Sequence, residues 1–247
     1  LAGEAGRSRP WAGGGRQPPA AQCPRGLVEA FSRAFLPNEG PVLVIKTING
    51  DRCIDELERL RTATAGRGDI RIIDGYLPQH QIHALMNTCD AYVSLHRGEG
   101  FGLTLAEAMS LGKPVIATAY SGNLDFMNEG NSYLVPFELT KIPPGCDPYP
   151  AGARWAAPDP NKAAALMRHV YENPDDARKL GQRAREDILR LHSPEARTAF
   201  IKSRLAAIRK ARAAVPPRRD LRTLASPLRS HETPRTSVLA GAAADVA

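Results

Sequence analysis

Residues 91–118 read AYVSLHRGEGFGLTLAEAMSLGKPVIAT, and this stretch decides the fold. It begins with a β-branched and aromatic run at 91–95, which predicts a strand. A helical pattern follows at 103–112, ends at Gly112 and gives way to a second β-branched run at 114–118. A strand, a helix and another strand in this order predict a parallel pair joined by a crossover helix.

The same alternation continues on both sides of this stretch. Further strands are predicted at 42–46, 70–73 and 132–136. Helices are predicted at 27–36, 51–65, 78–88, 123–128, 160–172, 174–191 and 194–213. Residues 137–158 are rich in proline and glycine, which predicts a long loop. Five strands in this alternation predict a Rossmann-like parallel α/β sheet with flanking helices, and ligands of such sheets bind beyond the carboxyl ends of the strands. The site is therefore expected in the loops after 70–73, 91–95 and 114–118.

The loop after 91–95 has three glycines in five positions, Gly98, Gly100 and Gly102, and leads directly into a helix. Glycine lets a backbone come close to a ligand, and the first N–H groups of a helix form an anion site that suits a phosphate. The loop does not match the common phosphate motifs, because Leu103 stands where G-x-G-x-x-G requires glycine and no G-x-x-x-x-G-K-[ST] sequence is present. The pattern indicates an anion-binding loop of another type.

Two carboxylates accompany this loop. Glu99 precedes the helix and can reach sugar hydroxyls near the anion, while Glu107 lies inside the helix and can accept two hydrogen bonds from a vicinal diol such as ribose. Glu107 has an alternative role, because Thr104-x-x-Glu107 is also a capping box in which Thr104 caps the helix. The residues taken alone favour the capping box.

The segment Glu99–Met109, followed by GKPVIAT at 112–118 and the turn Ser121–Asn123, resembles the signature of glycosyltransferase family 4. Members of that family are retaining enzymes with the GT-B fold. The resemblance extends more loosely from about Gly26 to Leu191. It implies that this region is the carboxyl-terminal, donor-binding half of a GT-B fold, followed by helices.

The resemblance also implies a role for individual residues. Glu99 would contact hydroxyls of the donor sugar as the catalytic residue, and Glu107 would bind the nucleotide ribose. Sugar and diphosphate would contact the chain at Gly100, Phe101, Gly102, Leu103 and Thr104. The nucleobase would lie at Gly75, Tyr76 and Leu77. Tyr76 has an equal alternative, which is packing in the core.

The implied reaction transfers a hexosyl group from a nucleotide diphosphate sugar to an acceptor, with retention at the anomeric carbon and with no metal or other cofactor. The sugar and the acceptor, whether saccharide, lipid or protein, stay open. The family supplies an Arg and a Lys near the diphosphate, and Arg16 and Arg25 are the nearest counterparts here. Two alternatives are a non-catalytic nucleotide-sugar-binding module and another GT-B activity, such as a sugar-nucleotide epimerase or a phosphorylase.

Other polar residues near these loops have simpler interpretations. His96 is expected to make a local hydrogen bond at the end of a strand, while His80 and His83 are expected at the surface. Lys46 ends a strand on the ligand side, where it could contact an anion. The four cysteines are far apart and include no C-x-x-C pair, so they predict no zinc site and suit a reducing cytoplasm.

Composition divides the chain into four predicted parts. Residues 1–26 are predicted to be a disordered or aberrant leader, and 27–192 a Rossmann-like nucleotide-sugar-binding domain. A basic amphipathic helix is predicted at 193–213 and a disordered basic tail at 214–247. Because 26 unpatterned residues cannot form a domain, the acceptor-binding half is expected to be absent and the chain to be a fragment.

Charge is distributed unevenly. Residues 193–247 contain 11 Lys or Arg against 4 Asp or Glu, whereas 1–192 contain 22 of each. A neutral folded body argues against binding of nucleic acid. The basic helix at 194–213 is expected either to pack on another domain or to lie on an acidic membrane, and no run reaches the roughly 20 apolar residues that cross a bilayer. Membrane contact of this cytoplasmic protein is therefore expected to be peripheral.

Overall fold

The computed structural model describes residues 11–13, 24–146 and 149–214. Its main feature is a parallel sheet of six strands. These are β1 (Trp11–Gly13), β2 (Leu43–Lys46), β3 (Ile70–Ile73), β4 (Tyr92–Ser94), β5 (Val115–Thr118) and β6 (Tyr133–Val135). The order across the sheet is β3-β2-β1-β4-β5-β6. All five predicted strands belong to it, so the predicted parallel α/β sheet is confirmed.

The helices lie close to their predicted positions. They are α1 (Pro24–Ala34), α2 (Ile54–Ala63), α3 (Gln79–Thr88), α4 (Leu103–Ser110), α5 (Pro160–Glu172), α6 (Pro174–His192) and α7 (Pro194–Ala213), with a 3₁₀ turn at Gly122–Asp125. Proline begins α5, α6 and α7, where its missing N–H costs no helical hydrogen bond. The side chain of Asp159 caps α5 by accepting bonds from the backbone N–H groups of Asn161 and Lys162, at 2.8 and 3.2 Å.

Strand β1 corrects one prediction. It pairs with β2 on one side and with β4 on the other, so it is an inner strand at the centre of the sheet. The prediction of a disordered or aberrant leader over residues 1–26 is therefore wrong for β1 and for the first turn of α1. Residues 1–10 and 14–23 lie outside the described residues. Three residues are too few to show the alternation of a strand, whereas the sheet supplies hydrogen bonds to both edges of β1.

Residues 137–158 correct a second prediction. Where a long loop was expected, β7 (Phe137–Lys141) and β8 (Arg154–Pro158) form an antiparallel hairpin. Trp155 and Ala156 of β8 are buried, while most of β7 is exposed. The prolines and glycines that suggested a loop lie largely between the two strands, so composition averaged over the whole segment hid the strands.

The core consists of two apolar clusters on opposite faces of the sheet. Neighbouring side chains of one strand alternate between them, as Tyr92 and Val115 join one cluster and Val93 and Ile116 the other. One face is covered mainly by α1 and α5, and the other by α3, α4 and α6. The carboxyl ends of the strands, where the ligand site was predicted, lie at one edge between these layers.

The chain divides into two compact units, residues 1–199 and 200–247. The first contains the sheet and its covering helices, and α7 begins in it. In the second, the described residues are 200–214, of which 200–213 continue α7; the predicted tail from 215 onward lies outside the described residues. The predicted helix at 194–213 is confirmed. Within the described ranges, no helix combines the length and apolar character needed to span a membrane.

Candidate functional site

The turn between β4 and α4 is shaped by Gly102. This residue precedes the first residue of α4 and has φ +95°, a left-handed conformation that glycine adopts without strain. A Cβ at this position would lie 3.0 Å from the Leu105 side chain and 3.3 Å from the Phe126 ring. Both the conformation and the close packing therefore require glycine where the chain enters the helix.

The start of α4 settles the question of the capping box. Gly102 is the N-cap and provides no side-chain cap, and Thr104 lies inside the helix. Thr104 therefore cannot cap α4, and the capping-box interpretation of Glu107 is wrong. The first N–H groups of the helix have no partner within the helix itself. Leu103, the first helical residue, is 64% exposed, so this end of α4 faces solvent.

The backbone at Glu99 is held by the turn that follows β5. The carbonyl oxygen of Glu99 accepts hydrogen bonds from Ser121 Oγ at 2.7 Å and from the Gly122 N–H at 3.0 Å. A Cβ at Gly122 would lie only 2.0 Å from the carbonyl oxygen of Gly100. The two turns are thus in direct backbone contact, which the sequence signal at Ser121–Asn123 did not specify.

Gly98 and Gly100 contrast with this close packing. A Cβ at either position would meet no other atom within 4 Å. Neither residue needs to be glycine for its backbone angle, since neither has a left-handed φ. The open side of Gly100 lies next to Glu99, whose side chain is partly exposed. This side of the turn is therefore accessible to a ligand.

Glu107 contacts the start of α3. Its Oε1 accepts a hydrogen bond of 3.2 Å from Gln79 Nε2, and the same amide nitrogen lies 2.9 Å from His83 Nε2. Gln79 is the first residue of α3 and is separated from the Gly75–Leu77 segment only by the N-cap residue Pro78. The structure therefore brings the predicted ribose residue beside the loop that was predicted to bind the nucleobase.

The loop after β3 is open at Tyr76. This side chain is 84% exposed, so its alternative role in the core is wrong. The backbone of the loop is tied to the end of β2, because Lys46 Nζ donates to the carbonyl oxygens of Thr47 and Gly75. Thr47 Oγ1 also donates to Asp74 Oδ1 at 2.8 Å. Burial lowers the pKa of Lys46, an effect that Asp74 opposes.

His96 is a core histidine. It is fully buried, and its Nε2 lies 3.0 Å from the Tyr120 carbonyl oxygen and 3.2 Å from Asn123 Oδ1. Its Nδ1 lies 3.2 Å from Ser94 Oγ. The predicted local hydrogen bond is confirmed, and it joins the loops after β4 and β5. His80 and His83 are exposed, as the sequence predicts.

The ring of Phe101 packs against two other rings and so holds the turn between β4 and α4 in place. Its centroid is 5.1 Å from that of Phe126 and 5.4 Å from that of His192, the last residue of α6. Burial lowers the pKa of His192, and the nearby Arg197 lowers it further, while Asp125 opposes both effects. The Phe101 position predicted for backbone contact with the donor thus also fixes the turn through its side chain.

Of the two expected counterparts of the family's cations, only Arg25 lies among the described residues. Arg25 lines a cavity of about 570 Å³ with residues of α2, including Asp55 and Glu58, and Arg16 lies outside the described residues. Arg97 packs against β8 near the Glu99 turn: its Cζ lies 4.7 Å from the centroid of the Trp155 ring. Sequence reasoning missed Arg97, although its position two residues before Glu99 was a signal. No group of three or more potential metal ligands occurs among the described residues.

Comparison of the sequence with known proteins finds one family model and two similar curated proteins. The family model of glycosyl transferases group 1 matches residues 54–187, more than half of the chain. The trehalose synthase of Pyrococcus horikoshii is 24% identical over 122 residues, which are 49% of this chain and 24% of that protein. The UDP-N-acetylglucosamine-peptide N-acetylglucosaminyltransferase GtfA subunit of Streptococcus gordonii is 36% identical over 90 residues, which are 36% of this chain and 17% of that subunit.

The comparison of structures agrees with them. HepE of Anabaena, solved in complex with UDP and glucose, matches with a TM-score of 0.63 at 16% identity, over 81% of this chain and 49% of that one. At this identity the match establishes the fold, which is that of GT-B glycosyltransferases. The chain spans about half of HepE and a quarter or less of the curated relatives it matches.

Proposed function

We propose that this chain, which belongs to the glycosyl transferases group 1 family, binds a nucleotide diphosphate sugar at the carboxyl ends of β3, β4 and β5. In this proposal it is the carboxyl-terminal, donor-binding half of a family 4 GT-B enzyme, and it serves transfer of a hexosyl group with retention. One observation carries the proposal. The Glu99 carbonyl oxygen is held by Ser121 and Gly122, a Cβ at Gly100 would meet no atom within 4 Å, and α4 then begins at the exposed Leu103.

The diphosphate is proposed to bind at the start of α4. Helix N-termini attract anions through free N–H groups and the helix dipole. Here Gly102 supplies no capping side chain that would compete for those groups. The absence of a Cβ at Gly100 lets a phosphate or sugar approach the backbone of the turn. Contacts along Gly100–Thr104 follow from this placement.

The sugar, ribose and base are proposed to lie in a row from β4 to β3. Glu99 would accept hydrogen bonds from hydroxyls of the sugar, and Glu107 from the two ribose hydroxyls. The Gln79 contact supports the second role, since it orients one carboxylate oxygen of Glu107 next to the loop after β3. The exposed ring of Tyr76, between Gly75 and Leu77, is positioned to stack on a base.

The proposed reaction breaks the bond between the anomeric carbon and the diphosphate oxygen. A bond from the same carbon to an acceptor hydroxyl oxygen forms on the same face of the sugar, and the proton of that hydroxyl passes to the departing diphosphate oxygen. Negative charge develops on the departing diphosphate, and N–H groups already aimed at that position stabilise it without reorganisation. The proposal includes no metal, and the acceptor would be a saccharide, a lipid or a protein.

The test is calorimetric titration of the full chain with UDP and with UDP-glucose. UDP-glucose is expected to bind more tightly than UDP, and Glu99→Ala to remove most of that difference while leaving UDP affinity unchanged. Because hydrogen bonds to a charged group are lost, the affinity for UDP-glucose is expected to fall by about ten- to a hundred-fold. Glu186→Ala, on the exposed side of α6, is the matched control. Absence of binding by UDP and by a panel of other nucleotide sugars would contradict the proposal.

Turnover separates this proposal from its alternatives. A chain that binds the nucleotide sugar, but neither transfers nor hydrolyses it with simple sugar acceptors, is a binding module. Product analysis with radiolabelled donor distinguishes transfer from epimerisation or phosphorolysis. A retained anomeric configuration in the product, measured by NMR, is the expected result for the transferase.

We further propose that α7 contacts anionic membrane surfaces peripherally. From residue 200 onward the helix has apolar side chains at Phe200, Ile201, Leu205 and Ile208 and basic ones at Lys202, Arg204, Arg209, Lys210 and Arg212, with no acid between them. All of these side chains are exposed, and a cluster of basic residues beside apolar ones suits contact with an anionic membrane surface. The chain is expected to sediment with phosphatidylserine-containing vesicles and to be released by salt. Equal sedimentation with neutral vesicles would contradict the proposal that the basic side chains of α7 bind anionic lipid.

A further inference from the structure

The hairpin of β7 and β8 rises from the same edge of the sheet as the candidate site. Strand β6 ends at Val135, and β7 begins two residues later at Phe137. Asp159 closes the base of the hairpin, because its N–H donates to the Pro136 carbonyl oxygen at 2.9 Å. The hairpin is therefore rooted at the carboxyl end of a parallel strand, next to the loops that hold Glu99.

The first connection from the hairpin goes to the loop after β4. Trp155 is only 5% exposed, and its ring packs against the guanidinium of Arg97, with 4.7 Å from Cζ to the ring centroid. The next residue, Ala156, donates its N–H to the carbonyl oxygen of Arg97 at 2.8 Å. Both the side chain and the backbone of Arg97 are thus held by β8, two residues before Glu99.

The second connection goes to the loop after β5. The rings of Tyr120 and Phe137 are 4.9 Å apart between centroids. The carbonyl oxygen of Tyr120 lies 3.0 Å from Nε2 of His96, the neighbour of Arg97 in sequence. The hairpin therefore contacts both of the loops whose backbones meet at Glu99.

We propose that Arg97 and Trp155 form a brace, in which β8 fixes the position of the Glu99 turn and thereby sets how strongly the site distinguishes a nucleotide sugar from the bare nucleotide. Arg97 and Trp155 are positioning residues in this proposal, which rests on the proposed function of the site. The brace is proposed to act at the sugar, because the Arg97–Trp155 and Arg97–Ala156 contacts lie beside Glu99, whereas the ribose and base residues lie on α4 and on the loop after β3.

This division gives a readout that simple loss of stability would not produce. A variant that is only less stable keeps the ratio of UDP and UDP-glucose affinities of the unmodified chain, because the same folded fraction binds both compounds. Loss of the brace lowers the affinity for UDP-glucose and leaves the affinity for UDP in place. The ratio of the two dissociation constants therefore reports on the brace.

The experiment measures both constants by calorimetry for the full chain and for Trp155→Ala and Arg97→Met. The advantage of UDP-glucose over UDP is expected to fall by about three- to ten-fold in each variant, the range expected for a partly buried cation–π contact. UDP affinity is expected to stay within about two-fold of the original value. Trp155→Phe, which retains an aromatic ring under Arg97, is expected to restore most of the advantage.

A matched control lies on the same hairpin. Leu139 of β7 is 47% exposed, and Leu139→Ala is expected to leave the ratio unchanged. An unchanged ratio in Arg97→Met, with UDP still bound, would overturn the brace while the proposed function stands. If the unmodified chain binds neither compound, the proposed function is wrong and the brace is wrong with it.

Discussion

The two ends of the candidate site are built differently. At the proposed sugar end, which comprises the turns at 99–102 and 120–123, backbone contacts hold Glu99 and the buried His96 joins the two turns. At the base end, the loop at 74–77, the backbone is tied to β2 while Tyr76 remains 84% exposed. Under the proposed function, this difference makes the sugar end a preorganised site for charge development, where small displacements cost most, and the base end an open platform.

Gly122→Ala tests the rigid sugar end most severely. The new methyl group would overlap the carbonyl oxygen of Gly100, so both turns must move apart. We expect unfolding free energy to fall by about 1 to 3 kcal/mol and UDP-glucose binding to be lost. Denaturant unfolding and calorimetry measure the two effects.

Gly98→Ala is the control for this substitution, since a Cβ there meets no atom. It is expected to change the unfolding free energy by less than about 0.5 kcal/mol. If Gly122→Ala is equally mild, the sugar end is more adaptable than its contacts indicate.

Glu107→Ala acts between the two ends. Removing the proposed ribose contact is expected to weaken the binding of UDP and the binding of UDP-glucose by the same factor, about ten-fold. Gln79→Ala, which removes the amide that orients Glu107, is expected to have a smaller effect of about three-fold in the same direction. A loss confined to UDP-glucose would instead assign Glu107 to the sugar.

Tyr76→Ala probes the open base end. Because the ring is exposed, its removal is expected to leave the free energy of unfolding unchanged. The affinity for UDP is expected to fall by about two- to five-fold, through loss of one stacking contact. Tyr76→Phe retains the ring and is expected to bind as the original chain does. A large loss of stability in Tyr76→Ala would contradict the exposed position.

The smallest expected effect is a pH dependence at His192, which packs against Phe101. Burial and Arg197 lower the pKa of His192 in the folded chain, so the unfolded chain takes up the proton first as pH falls. The stability that this residue contributes is complete above about pH 6.5, its ordinary pKa, and is lost as pH falls toward the lowered value. His192→Gln is expected to flatten that part of the stability profile in denaturant titrations. An unchanged profile would assign the slope to other groups.

Much of the sheet follows from sequence because its strands are long enough to show β-branched runs. The predictions at 70–73 and 160–172 agree with the observed elements, and the chemistry-bearing turn is placed correctly before α4. The predicted roles of Glu99 and Glu107 stay predictions, but the competing capping role of Glu107 is removed by the position of Gly102. Membership of the group 1 family is confirmed by the family model, while family 4 and retention stay proposals.

The sequence by itself determined the alternation of strands and helices and the glycine turn, because local spacing and backbone preferences are properties of neighbouring residues. Only the tertiary structure decided the rest. Strand β1 is too short to show a pattern and becomes evident through its two partners, and β8 is recognised by where Trp155 packs. Contacts between distant segments, such as Gly122 with Gly100 or Trp155 with Arg97, depend on how the sheet brings its loops together, which no local pattern encodes.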